Sequence, residues 1–131
     1  MYNNLARQRG IGTYQGVQKA TMTGRELEAS VLTKGALLLK QCQDDWGNEG
    51  LPPDLNKALT YNQAVWSIFQ NELAKEGHPL PRKLRQDILS LSVFIDRRIF
   101  EIMAHPSPEK LTIIMNINSN LAAGLRGSPG R

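Results

Sequence analysis

Two histidines, one cysteine and two carboxylates set on apolar faces are the side chains of this 131-residue chain best placed for chemistry. His78 and His105 each stand immediately before a proline, in stretches that punctuate the chain between helices. Glu101 and His105 are four apart and could share a helix face. A protein metal site draws on three or four such ligands, and no further histidine or cysteine joins this pair. Cys42 is the single cysteine, so no intrachain disulfide can form, and its place on an apolar face fits a small buried hydrophobe. Gly10-Ile-Gly12-Thr-Tyr-Gln15 approaches a dinucleotide-binding turn but lacks the third glycine and a preceding strand. Glu28 and Asp96 fall toward the apolar sides of their helices. Carboxylates so placed are commonly paired, and Arg85 and Arg97 are the partners the pattern offers Glu28. No serine or cysteine has the surroundings of an activated nucleophile. The residues therefore point away from an enzyme and imply no catalytic residue, cofactor or metal.

The elements that carry these residues all read as helices. In Leu84–Met103, the residues Leu84, Ile88, Leu91, Ile95, Ile99 and Ile102 recur at steps of three and four, one stripe of an α-helix. Leu89, Val93, Phe100 and Met103 form a second stripe beside it. A helix apolar on two sides is expected to pack on two sides, as the spine of a bundle. Thr23-Gly-Arg-Glu26 has the form of a capping box, opening a helix to about Trp46 on which Leu27, Val31, Leu32, Leu38, Leu39 and Cys42 share a face. Gly35, at the middle of that face, permits a close helix crossing. Pro52-Pro53 starts the next helix, with Leu55, Ala58, Leu59, Val65, Trp66, Phe69 and Leu73 as its stripe and Asn62 inside it. Gly77-His-Pro-Leu-Pro81 ends it. Ser107 reads as the N-cap of a last helix carrying Leu111, Ile114, Met115, Ile117, Leu121 and Ala122, with Asn118 on the same side and Gly124 as its stop. The fold class is all-α: a bundle of four main helices, with a possible short N-terminal helix through Tyr14, Val17 and Ala20. Residues 1–12 read as a flexible segment, 13–125 as the bundle and 126–131 as a disordered tail.

The net charge of +4 is unevenly distributed. Arg7, Arg9, Lys19 and Arg25 lie near the start without an acid among them, and Arg126 and Arg131 near the end. Residues 26–125 hold ten basic and twelve acidic side chains, a balance of −2. A body of that charge offers no phosphate-binding face, which argues against direct nucleic-acid binding. No apolar run is long enough to span a bilayer and no leader pattern precedes the first helix, so a cytoplasmic location is expected.

Apolar residues on otherwise polar faces are the remaining clue. Phe94 points into a sector shared with Gln86, Asp87, Ser90, Arg97 and Glu101; Leu37 sits opposite the core face of its helix; Tyr61 and Ile68 flank the stripe of theirs. Either a neighbouring helix covers them or they dock a partner, in which case Phe94, Leu37, Ile68, Tyr61 and Arg97 are the contacts.

Four segments in order, GRELEASVLTKGALLLKQCQDDW, LNKALTYNQAVWSIFQNEL, LPRKLRQDILSLSVFIDRRIFEIM and PEKLTIIMNINSNLAAGL, resemble the flagellar biosynthesis regulator family FlaF over roughly residues 14–125. The resemblance implies a small cytoplasmic protein that supports flagellin production and export. It implies flagellin, the regulator FlbT, or both as partners, FlbT being associated with flagellin messenger RNA. It brings no catalytic residues. Two roles follow: an adaptor or chaperone-like binder with a groove for an amphipathic helix, or a post-transcriptional regulator that touches flagellin messenger RNA directly, through the basic ends.

Overall fold

A computed structural model describes residues 24–47 and 50–127. Four helices form: α1 (Gly24–Asp45), α2 (Leu55–Leu73), α3 (Arg82–Ala104) and α4 (Leu111–Gly127), with a 3₁₀ turn at Pro108–Lys110 leading into α4. Among the described residues there is no strand, only an isolated bridge between Gly47 and Gly50. This is the expected all-α bundle. Tyr14–Ala20, where a short leading helix is expected, Thr23 of the capping box and most of the tail lie outside the described residues.

The centre of the bundle is α1, not α3. Its most extensive interface is with α4, and α2 also packs on it, the two meeting beside Gly35. The buried residues of α1 are Ala29, Leu32, Gly35, Ala36, Leu39 and Cys42. Half of these are alanine or glycine, so two helices can approach the α1 backbone closely while the leucines fill the space between crossings. In α2, the predicted stripe and Asn62 are all buried.

By contrast α3 is an edge helix, packed mainly on α2 and touching α4 only slightly. Its inward stripe largely holds: Ile88, Ile95, Ile99 and Ile102 are buried, joined by Ser92, while Leu91 is half-buried and Leu84 at its start is exposed. Its second stripe does not. Leu89 is half-buried, but Val93 is 49% exposed, Phe100 62% and Met103 37%. The expected two-sided spine therefore has one covered side. The last helix, α4, lies against α1, whose small buried residues admit a close contact.

A hydrogen-bonded cluster lies at the crossing of α1, α2 and α4. Asn62 donates through Nδ2 to the carbonyls of Ala58 (2.9 Å) and Gly35 (3.2 Å). Asn118 donates through Nδ2 to Asn62 Oδ1 (2.8 Å) and the Leu32 carbonyl (3.2 Å). Trp66 Nε1 completes the set by donating to Asn118 Oδ1 at 3.0 Å. Both amides are fully buried, and every one of their donors and acceptors has a partner, which is the condition for a buried polar group not to cost stability. Gly35 is what admits them. A Cβ there would collide with Asn62 Oδ1 and lie 2.9 Å from Asn118 Nδ2.

The connections follow the expected punctuation in most places. Gly77 takes φ +79°, a conformation open to glycine, in the turn after α2. His78 Nδ1 accepts the Leu80 amide at 3.1 Å, and the His105 amide caps α3 through the Glu101 carbonyl at 2.8 Å. Both histidines thus serve turns. Ser107 precedes the 3₁₀ turn in extended backbone, but its hydroxyl makes no capping bond. Nor does Gly124 stop α4, which continues to Gly127.

Candidate partner-binding site

The clearest surface feature is built from facing sides of α2 and α3. On α2, Thr60, Gln63, Ala64 and Ser67 recur at steps of three and four and form one outward flank. On α3, Val93, Asp96 and Phe100 do the same. Together Thr60, Gln63, Ala64, Ser67, Asp96 and Phe100 line an open groove of about 320 Å³. Its two walls differ chemically. Only Lys57 and Glu72 are charged among the nineteen residues of α2, against eight charged side chains among the twenty-three of α3. The α2 wall is thus uncharged and, Gln63 apart, short, while the α3 wall is Phe100 over a carboxylate, with Val93 and Met103 exposed beyond the groove along the same side of α3. Depletion of charge around large apolar side chains is the composition of an interface centre.

Asp96 is fixed at the base of that ridge. Gln70 Nε2 donates both to Asp96 Oδ2 (3.1 Å) and to Ser92 Oγ (3.0 Å), and Ser92 Oγ donates to the Leu89 carbonyl at 2.6 Å. An amide from α2, rather than an arginine, thus holds the Asp96 carboxylate. Among the described residues it has no ion pair. Glu28 likewise departs from expectation. Arg85 Nη1 donates to the Leu73 (3.2 Å) and Lys75 (3.3 Å) carbonyls, closing the end of α2, and Arg97 is exposed on α3. Burial pushes the Glu28 carboxyl above its usual range; Arg25 opposes the shift and Glu72 adds to it.

Of the side chains expected as partner contacts, the structure gathers few. Phe94 is 38% exposed, with the Arg98 guanidinium 5.6 Å from its ring centroid. It lies about 120° around α3 from Phe100, on the flank away from the groove. Tyr61 is engaged within the fold, its hydroxyl donating to the Val31 carbonyl at 3.2 Å and its ring carrying Lys34 Nζ at 5.4 Å. Ile68, half-buried, shares that α1-facing flank of α2. Leu37 is 55% exposed on the outer face of α1, apart from the others. Arg97 alone borders the ridge, one turn from both Val93 and Phe100. Periodicity assigns the ridge residues themselves to the core. The signal that could have placed them outside is the missing charge on the outer flank of α2, since a solvated helix face normally carries charged residues.

A second recess of about 300 Å³ lies where α1 ends and α2 begins, lined by Leu38, Cys42, Asp45, Pro52 and Asp54 among others. Burial, with Asp54 and Asp45 contributing, pushes the Cys42 thiol above its usual range, so it is a poor nucleophile. Among the described residues, no three histidine, cysteine or carboxylate side chains are grouped to hold a metal, and no helix is long and apolar enough to cross a membrane.

No curated protein and no solved structure matches the chain. The model of one family, described as flagellar protein FlaF, matches residues 11–125, which takes in α1 to α3 and all but the last two residues of α4; the chain belongs to that family.

Proposed function

We propose that this flagellar protein is a non-enzymatic regulator that supports flagellin synthesis or export by binding flagellin, the FlbT regulator, or both, as a chaperone-like adaptor. The observation that carries this reading is the Val93–Phe100–Met103 ridge. Large apolar side chains aligned over three turns of an edge helix are a standing invitation to a second helix. The four-helix core beneath is complete without a partner, so the ridge can engage and release one while the fold stays intact. Membership of the FlaF family supports a flagellar partner over any other. The test is calorimetry of the purified chain against flagellin monomers and against the FlbT regulator. A central interface anchor commonly contributes about 2 kcal/mol, so Phe100→Ala should weaken binding by roughly thirtyfold or more. Unchanged affinity for both proteins would remove the ridge from the site.

A further inference from the structure

Resting on the binding role proposed above, we infer that the α2/α3 groove takes a single amphipathic helix that directs a cationic side chain at Asp96. Three observations select that occupant. Val93 to Met103 spans about 15 Å, nearly three turns of helix, so the ridge matches one helix of about ten or more residues lying alongside it. The facing α2 wall of Thr60, Gln63, Ala64 and Ser67 is uncharged and three of its four side chains are short, so a helix can lie close against it with only Gln63 to turn aside. The third is charge. Asp96 is the sole ionisable residue lining the groove. Its Oδ2 is occupied by Gln70, and Oδ1 has no hydrogen-bond or ion-pair partner among the described residues. An occupant apolar along its whole length would cover a half-buried carboxylate and leave it uncompensated, which is costly. An acidic one would be repelled. A lysine or arginine among the apolar residues of the incoming helix satisfies the site.

The inference can be tested without knowing which flagellar protein is bound. Three peptides of about eighteen residues, with one shared leucine–alanine stripe and lysine, glutamine or glutamate at its centre, are titrated into the full chain by fluorescence anisotropy. On the parent the expected order is lysine, glutamine, glutamate, with roughly tenfold between the extremes at low salt and less at high salt. Asp96→Asn keeps an oxygen to accept from Gln70, so it should fold normally and bind all three within about twofold of one another. Ser67→Trp, at an exposed position, should fill the groove and abolish binding. Equal binding of the three peptides by the parent, binding of none, or an order that survives Asp96→Asn overturns the inference. So does a concentration-dependent dimer lost on Ser67→Trp, which would make a second copy the occupant. A peptide order as expected, with no binding of flagellin or the FlbT regulator, would sink the proposed function and leave the groove's preference standing.

Discussion

The crossing of α1, α2 and α4 and the outer side of α3 follow the same sequence rule and meet opposite fates. Each is a stripe of residues at helical spacing. At the crossing the stripe is interrupted by glycine, alanine and asparagine, and it is buried completely. On α3 the second stripe is made of large apolar residues beside Asp96, and beyond the half-buried Leu89 its Val93, Phe100 and Met103 face solvent. Hydrophobicity alone thus does not decide which face is covered. The small residues do, because Gly35 and the alanines let backbones approach until two asparagines and a tryptophan close a hydrogen-bonded set among three helices. The crossing specifies one arrangement; the ridge of α3 specifies none and is left facing solvent.

The comparison breaks most sharply on two neighbouring positions of α3. Ile95 is fully buried and Val93 is 49% exposed. Ile95→Asp puts an unpaired carboxylate between helices at a cost of several kcal/mol, comparable with the whole stability of a small domain. Its cooperative thermal transition should largely vanish. Val93→Asp should melt within a few degrees of the parent, since exposed substitutions usually change stability by less than about 0.5 kcal/mol. Equal damage from both would mean that the second stripe is covered in the protein and that no docking ridge exists.

A smaller effect distinguishes two glycines. A methyl group on Gly35 collides with Asn62 and forces the buried amides apart, so Gly35→Ala should cost about 3 kcal/mol by chemical denaturation. Gly124 lies inside α4 with nothing within 4 Å of an added Cβ. There the same substitution should stabilise by about 0.5–1 kcal/mol through helix propensity. If Gly35→Ala were tolerated as well as Gly124→Ala, the asparagine set would be incidental to the packing.

The four helices and their inward stripes are legible in the sequence because each stripe reports directly on burial of its own helix. Asn62, Asn118 and Gly35 are visible there as anomalies on core faces, but not as parts of one cluster. Their meeting depends on which helices cross, and helical spacing within one segment carries no information about that. The same gap explains why α3 reads as the spine. Two apolar stripes show that two faces avoid water, and they do not say that both coverings come from the same chain. For the site, Phe94 stands out in the sequence because it lies outside both stripes, whereas Phe100 is hidden by belonging to one. Arg97 borders the ridge because its position on α3 follows from helical spacing alone.

The smallest expected effect concerns Glu28, a carboxylate at the margin of the well-packed region. Burial raises its folded-state pKa above the ordinary 4.5, with Glu72 adding and Arg25 opposing. The folded chain therefore holds this proton more tightly than the unfolded one. Linkage fixes the sign: stability is unaffected below about pH 4, where both states are protonated, and falls as pH rises from 4.5 through the raised folded value. Glu28→Gln removes that loss. Because Glu28 is only half-buried, solvent screening keeps the effect small, and the Glu28→Gln variant should melt about 1–2 °C above the parent at pH 7 and level with it at pH 4. Taking the difference between the two proteins at each pH cancels the titrating groups that do not interact with Glu28. A parent that is the more stable of the two at pH 7 would show that attraction to Arg25 outweighs burial. Glu28 would then belong with the compensated polar groups of the core, and the contrast between that core and its margin would lose its one ionisable example.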